Sequence, residues 1–487
     1  MHSGLRAALF VAIALAALAS FSASARAEPG LVVGAVEDGV RASSLVEAES
    51  KMTLLRTAGF RAVRVTSIWS PGQTEPSADE LAVLSNVSEA ARMNGIRVYV
   101  TVMSKGSSTT PLTDDARTQF ASYAAAIVRA VPGIRDVIVG NEPNLNRFWL
   151  PQFNPDGSDA AAPAYLALLA QTYDALKAIS PQVTVYGGAV SPRGSDNPAG
   201  SRQTHSPTVF IRDMGVAYRA SGRDRPVMDA LVMHPYGDNS SEPPTFAHPL
   251  STSIGIADYG KLVSLLGEAF DGTAQPGSAL PIVYGEYGVE TTIPSDKAST
   301  YSGAEIAATK PVDTATQASY YQQALAMAFC QPTVAGILVF HAIDEAALPA
   351  WQSGVYYADG TPKASLPAVR RALDKTAGGS ITHCPGVQLT VHATYLRFGT
   401  RSAAKRGTFR VSLRCDLDCA YVVRLEKLPT HATRKIKRGQ ATVGELIRIV
   451  LPSTPLGPGS YRYTISLVQP VNPAPPTVRV GTPFRLP

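Results

Sequence analysis

VIVGNEPN, residues 137–144, is a short β-branched run that stops at a glycine and then sets an asparagine and a glutamate ahead of a proline. A run of this length and composition makes a buried strand. A carboxylate at the end of such a strand is costly to desolvate unless something there uses it. The same pattern recurs outward in both directions: strands are predicted at 31–38, 61–69, 96–104, 134–142, 183–190, 228–236, 281–288 and 334–344. Longer amphipathic segments separate them, among them SSLVEAESKMTLLRTAG, ending at Gly59, TDDARTQFASYAAAIVRA and YLALLAQTYDALKAIS. The second of these opens on a Thr-Asp pair suited to an N-cap. Eight strand and helix units over about 350 residues predict an α/β fold, a (β/α)8 TIM barrel with enlarged loops. An open doubly wound sheet is the alternative, but no G-x-G-x-x-G follows the first strand and no loop resembles a phosphate cradle.

Beyond Arg371 the pattern changes. GVQLTVHATYLRF, GTFRVSLRC, CAYVVRLEKL, ELIRIVLP and YRYTISLVQP alternate apolar and polar residues, with Gly and Pro turns between. They predict a small antiparallel domain, an immunoglobulin-like sandwich. Charge marks the same boundary: from Pro385 onward there are 16 Lys and Arg against 4 Asp and Glu, a balance of +12 that leaves −6 for residues 1–384 out of the overall +6. The expected organisation is a leader at 1–27, a barrel at 28–379 and a basic β-domain at 385–487. The leader is read from Arg6, the apolar run 7–19 and the small-residue site Ala25-Arg26-Ala27, a secretory pattern that predicts cleavage after Ala27 and an exported or envelope protein. Export permits disulfides, and the four cysteines are expected to pair as Cys330 with Cys384 and Cys415 with Cys419. They lack metal-site spacing, so no metal or cofactor is expected.

The C-terminal strand ends of such a barrel gather on one face, which makes their residues the ones to compare. Strand two carries Arg64 and ends at Trp69. Strand four ends in Asn141 and Glu142, strand six in His234, Pro235 and Tyr236, strand seven in Gly285, Glu286 and Tyr287. Strand eight ends in His341, followed by Asp344 and Glu345. Singly these have plain explanations: a Glu before Pro opens a helix, an Arg in a strand makes a buried ion pair. In order on successive strand ends they set two carboxylates across the barrel mouth, as cleavage of a glycosidic bond by an acid and a nucleophile demands. Trp69, Trp149 and Trp351 fall at strand ends or in the following loops, where an aromatic face can stack on a sugar ring. Asp344 and Glu345 could contact sugar hydroxyls.

The sequence here resembles the clan A retaining glycoside hydrolases, of the family 5 or family 39 type. Asn-Glu-Pro ending strand four, His-x-Tyr ending strand six and Glu ending strand seven carry the resemblance, which covers about residues 32–373. It implies Glu142 as acid/base, Glu286 as nucleophile and Asn141 as partner of the sugar 2-hydroxyl. It further implies that Tyr236 hydrogen-bonds the nucleophile, that His234 lies beside it and that Arg64 keeps Glu286 ionised. The family places a Trp at the end of strand eight where this chain has His341, so either Trp351 reaches back or the sugar platform differs. The expected activity is hydrolysis of a β-linked polysaccharide or oligosaccharide by double displacement, in a monomer. A non-catalytic carbohydrate-binding protein on the same barrel is the alternative, and an inverting hydrolase would need more widely spaced carboxyl groups. The run TRKIKRG, residues 433–439, is expected at a solvated hairpin tip, or as an attachment site for an anionic cell-wall polymer. It lacks the aromatic interleaving of a nucleic-acid site.

Overall fold

The computed structural model describes residues 31–378, 391–400, 403, 408–415, 418–442, 444–452, 456–470 and 476–487. The expected leader, the 379–385 boundary and Cys384 lie outside the described residues. All eight predicted strands are present and close into a parallel barrel in sequence order. They are β1 (Val32–Val36), β2 (Ala62–Trp69), β3 (Arg97–Ser104), β4 (Asp136–Val139), β5 (Thr184–Val190), β6 (Ala230–Met233), β7 (Ile282–Tyr287) and β8 (Val334–Phe340). β1 pairs with both β2 and β8, so the sheet has no edge. β4 and β6 are four residues each, shorter than predicted, because the residues after Val139 and Met233 leave the ladder to build the site.

Eight helices surround the barrel: α1 (Leu45–Ala58), α2 (Ala78–Asn94), α3 (Asp114–Ala130), α4 (Ala161–Ile179), α5 (Pro207–Ala220), α6 (Tyr259–Phe270), α7 (Thr314–Phe329) and α8 (Leu366–Ala377). Their ends are written in local chemistry. Ser44, Ser77, Thr113, Ser206 and Asp313 each accept a backbone N–H from the first turn, and Gly59 closes α1 in the left-handed conformation at φ +104°. Among the described residues no helix is long and apolar enough to cross a membrane.

Side chains fill the barrel in layers. Val36, Ala62, Tyr99, Ile138, Tyr186, Val232, Val283 and Leu338 form the inner core. At the floor, the N-terminal ends of the strands, Arg97 pairs with Asp136 through two hydrogen bonds and the Tyr186 hydroxyl donates to the same carboxylate at 2.9 Å. The Tyr99 and Tyr186 rings meet edge to face at 5.3 Å. That plug seals one end and leaves the other open.

Among the described residues, two antiparallel sheets follow the barrel. One has the order β13 (Ile447–Val450), β10 (Arg410–Cys415), β9 (Ala393–Phe398). The other has the order β12 (Ala432–Ala441), β11 (Cys419–Lys427), β14 (Gly459–Val468), β15 (Thr477–Val480), with β16 (Phe484–Leu486) also on β14. Phe398 of the first sheet stacks on Tyr463 of the second at 5.4 Å, so the sheets face each other around a shared core. Cys415 and Cys419 are joined by a disulfide. Cys330, the residue closing α7, is also disulfide-bonded. One expectation is corrected: TRKIKRG is no hairpin tip but the body of β12, an outer strand whose turn lies at 428–431. Its cationic density obscured the alternation, and charged residues are what an edge strand uses to resist further pairing.

Candidate active site

The chain leaves β4 through two left-handed residues, Gly140 at φ +78° and Glu142 at φ +39°. Glycine takes that conformation freely, and a Cβ at 140 would stand 3.2 Å from the Tyr165 ring. Glutamate does not, and holding it there costs on the order of 1–3 kcal/mol. The turn is held from both sides. The Glu142 amide donates to the Ala189 carbonyl at 2.8 Å, and the buried Asn144 side chain accepts the Ser191 amide while donating to the Ser191 and His205 carbonyls. This bracing directs the Glu142 carboxylate over the open end of the barrel.

Glu286 reaches the same place from β7. The preceding residue must be glycine, since a Cβ on Gly285 would meet Val232 at 2.3 Å and crowd His234. Arg64, 3% exposed, holds the constellation from β2. Its Nε donates to Thr101 at 2.6 Å, Nη2 to Asn141 Oδ1 at 2.8 Å, and Nη1 to Glu286 Oε1 at 2.6 Å and the Gly285 carbonyl at 3.2 Å. The Tyr236 hydroxyl donates to the second Glu286 oxygen at 2.9 Å. His234, fully buried, places Nδ1 3.1 Å from Glu142 and 3.5 Å from Glu286, with Nε2 3.3 Å from Arg64 Nη1. A guanidinium nitrogen cannot accept, so Nε2 is the acceptor and Nδ1 carries the proton toward the carboxylates.

Burial alone would raise the Glu286 pKa; the electrostatic effects of His234 and Arg64 and the hydrogen bonds from Tyr236 and Arg64 outweigh it, and the pKa falls below the ordinary value. For Tyr236, burial and then the charges of Glu286 and Glu142 push the pKa well above the usual phenol, so it remains a donor. One oxygen of Glu142 and one of Glu286 lie within 4.8 Å of each other. Two carboxyl groups thus converge, one pinned as an anion by fixed donors and the other bonded, among the described residues, by a histidine alone.

Arg64, Asn141, Glu142, Tyr236, Glu286, His341 and Trp351 line a single cleft of about 680 Å³. His341 anchors its Nδ1 on the Val36 carbonyl at 2.7 Å. Trp351 does reach back: its ring lies 5.0 Å from that of Tyr236 and 5.2 Å from that of Phe340. The loop bringing it there is tied by Lys363, whose ammonium donates to Asp344, Thr291 and the Gln352 carbonyl in full burial. Asp344 is therefore a loop anchor and not a sugar contact. Two further expectations are corrected. Trp69 is fully buried against Phe120, its Nε1 donating to the Gln73 carbonyl, and Trp149 is 3% exposed against Tyr165; neither meets the cleft. Counting in twos from the inward-facing Arg64 puts Trp69 on the outer face of β2, so the signal was there. Thr101, Arg147, Phe148 and Glu290 were missed, the last three because loops carry them.

Glu290 is 6% exposed at the cleft wall, and burial raises its pKa to about 7 despite a hydrogen bond from the Gln352 amide. The folded protein thus binds this proton more tightly than the unfolded chain, so stability is full below about pH 4.5 and declines as pH rises toward 7. Glu290→Gln is expected to be more stable than wild type at pH 8, by on the order of 2 kcal/mol relative to the difference at pH 4.5. Urea unfolding of both proteins at the two pH values measures it.

No family model matches the chain, and no curated protein matches it in sequence. Solved structures similar to it include a mutant of β-glucuronidase 2 from Bacteroides uniformis (11% identity, 90% of this chain and 42% of that chain, TM-score 0.41). Others are the exo-β-1,4-mannosidase Op5Man5 from Opitutaceae bacterium strain TAV5 (17%, 72% and 60%, 0.46) and GH5_18 from Streptomyces cattleya in complex with GlcNAc (14%, 71% and 80%, 0.47). The chain spans less than half the length of the first and three fifths of the second.

Proposed function

We propose that the protein is a glycoside hydrolase that cleaves a β-linked glycan or glycoside with retention of configuration, exported by the leader expected at 1–27 and active as a monomer. The observation that carries this is the convergence of Glu142 and Glu286, whose nearer oxygens lie within 4.8 Å of each other and both within 3.5 Å of His234 Nδ1. Retaining enzymes hold their carboxyl groups about 5–5.5 Å apart, and inverting ones need about 6.5–9.5 Å to admit a water. Glu286, held ionised, attacks the anomeric carbon while Glu142 gives its proton to the departing oxygen. The glycosyl ester formed has no charge, so Glu142, now ionised, can draw a proton from the water that hydrolyses it. Asn141 spends its carbonyl on Arg64, which leaves its NH2 to donate to a sugar hydroxyl. Trp351 offers a ring beside the reacting centre. A non-catalytic carbohydrate-binding barrel would have no use for a strained glutamate beside a buried, fully bonded one.

Aryl β-glycosides and β-linked polysaccharides incubated with the protein, followed by proton NMR, test the proposal. The β anomer should appear first; α first would require an inverting scheme. Arg64→Met is expected to lower kcat/KM by about 10²–10³-fold. With the cation gone the Glu286 pKa rises, so the acid limb of the kcat/KM profile moves to higher pH; an unmoved limb would deny Arg64 this role.

We also infer that β12 attaches the protein to an anionic polymer, since Arg434, Lys437 and Arg438 are exposed along it. Retention on an acidic polysaccharide should fall with salt and be lost when the three are changed to Gln. Retention unaffected by the changes would end the idea.

A further inference from the structure

The loop that follows β6 carries Tyr236, the donor to Glu286, near its start and runs on through Asp238, Glu242 and His248. One ligand atom of each of these three lies within 4.8 Å of the others. Clustered carboxylates alone would mean little; the histidine is the informative member. Its side chain is 10% exposed. Nδ1 lies 2.7 Å from Asp258 Oδ2, and the Asp258 carboxylate also accepts the backbone amides of His248 and Gly255 at 2.8 and 2.9 Å. With its acceptors filled in this way, Asp258 fixes the ring's orientation and leaves Nε2 to face Glu242. Nε2 is buried and has no hydrogen-bond partner among the described residues. It stands 3.5 Å from Glu242 Oε1, beyond the ordinary length of a hydrogen bond.

That separation is the width of an ion. Ligand bonds of about 2.1 Å in a tetrahedral site hold donor atoms about 3.4 Å apart. A histidine oriented by a carboxylate on its far nitrogen is also how metal-bound imidazoles are held. We propose that Asp238, Glu242 and His248 bind one divalent transition-metal ion of the zinc type, with solvent completing the coordination. An imidazole with two carboxylates suits such an ion better than calcium or magnesium, which favour all-oxygen sites. Asp238 already accepts from Arg193 through Oδ1 at 2.9 Å, leaving Oδ2 for the ion, and the Asp238 amide donates to Glu242 at 3.3 Å. The residues beside these ligands line the cleft, Gly237 and Asn239 among them. The ion would clip the loop that carries Tyr236, a structural role at the cleft rim. The proposal is independent of the glycosidase reading, because it is tested by binding.

Full-length protein, treated with chelator and then titrated at pH 7.5, should take up one equivalent of Zn2+ by calorimetry, and Co2+ should give the intense visible absorption of a tetrahedral site. His248→Ala and Glu242→Gln should each weaken binding at least 100-fold, and Asp258→Asn by about 10–100-fold through the lost orientation of the ring. Glu286→Gln should keep the full equivalent. The proposal falls if wild-type protein shows no saturable uptake, or if the His248 and Glu242 variants bind as tightly as wild type. It falls equally if Glu286→Gln alone abolishes uptake, since the ion would then sit on Glu142, His234 and Glu286. Circular dichroism of each variant separates loss of a ligand from loss of fold: a folded Glu242→Gln protein with undiminished affinity overturns the assignment.

Discussion

Glu286→Ala is expected to lose about four orders of magnitude or more in turnover of any glycoside the wild type cleaves, while still binding it. In the proposed mechanism this carboxylate is the group that attacks, with Glu142 as the acid on the leaving-group side, and its hydrogen-bonding neighbours Arg64 and Tyr236 act as donors to it. The space vacated by the side chain admits a small anion. Azide supplied in its place would attack the β-glycoside directly and give the α-glycosyl azide. Mass spectrometry and NMR of the product make the measurement. Turnover within tenfold of wild type would remove Glu286 from the nucleophile's role.

Glu142→Ala should separate the two chemical steps. Substrates whose leaving group needs no proton should still form the glycosyl ester on Glu286, whereas its hydrolysis, which needs a base, should slow by about 10²–10⁴-fold. A burst of leaving group followed by a slow phase is therefore expected, with the glycosyl-enzyme visible as a mass increase on a peptide containing Glu286. Azide needs no base and should restore turnover, this time giving the β-glycosyl azide. Opposite azide anomers from the two alanine variants would be hard to obtain by any route other than double displacement. An α product from Glu142→Ala would exclude it.

The barrel was legible because its strands are short, β-branched and regularly spaced, and because the helix caps at Ser44, Thr113 and Gly59 stand where the apolar period begins or ends. Glu142 and Glu286 stood out for the same reason: each ends an apolar run with a charge that burial penalises. Tryptophan was the misleading residue. A large ring at a strand end packs equally well outward against a helix, and Trp69 does so against Phe120 of α3. β12 was hidden by its own function as an edge, since cations at 434, 435, 437 and 438 overwrite the period of two. Glu290, Lys363 and the Asp238, Glu242 and His248 group meet through loops, whose paths no periodicity describes.

The floor of the barrel has a practical meaning for anyone wishing to alter the protein. Asp136 and Glu142 belong to one stretch of chain, yet Asp136 opens β4 at the floor while Glu142 lies past its C-terminal end, at the mouth. Substitutions separated by more than about 7–10 Å and sharing no partner combine additively. The group of Arg97, Asp136 and Tyr186, which among the described residues shares no hydrogen bond with Arg64 or the two glutamates, is thus a place where robustness can be raised or lowered with least effect on them, whereas Tyr99 stands beside Arg64 in the ladder. A library that first reinforces this lower layer would gain tolerance for the destabilising changes that new specificity at the opposite rim demands, and the two searches could be run apart and joined afterwards.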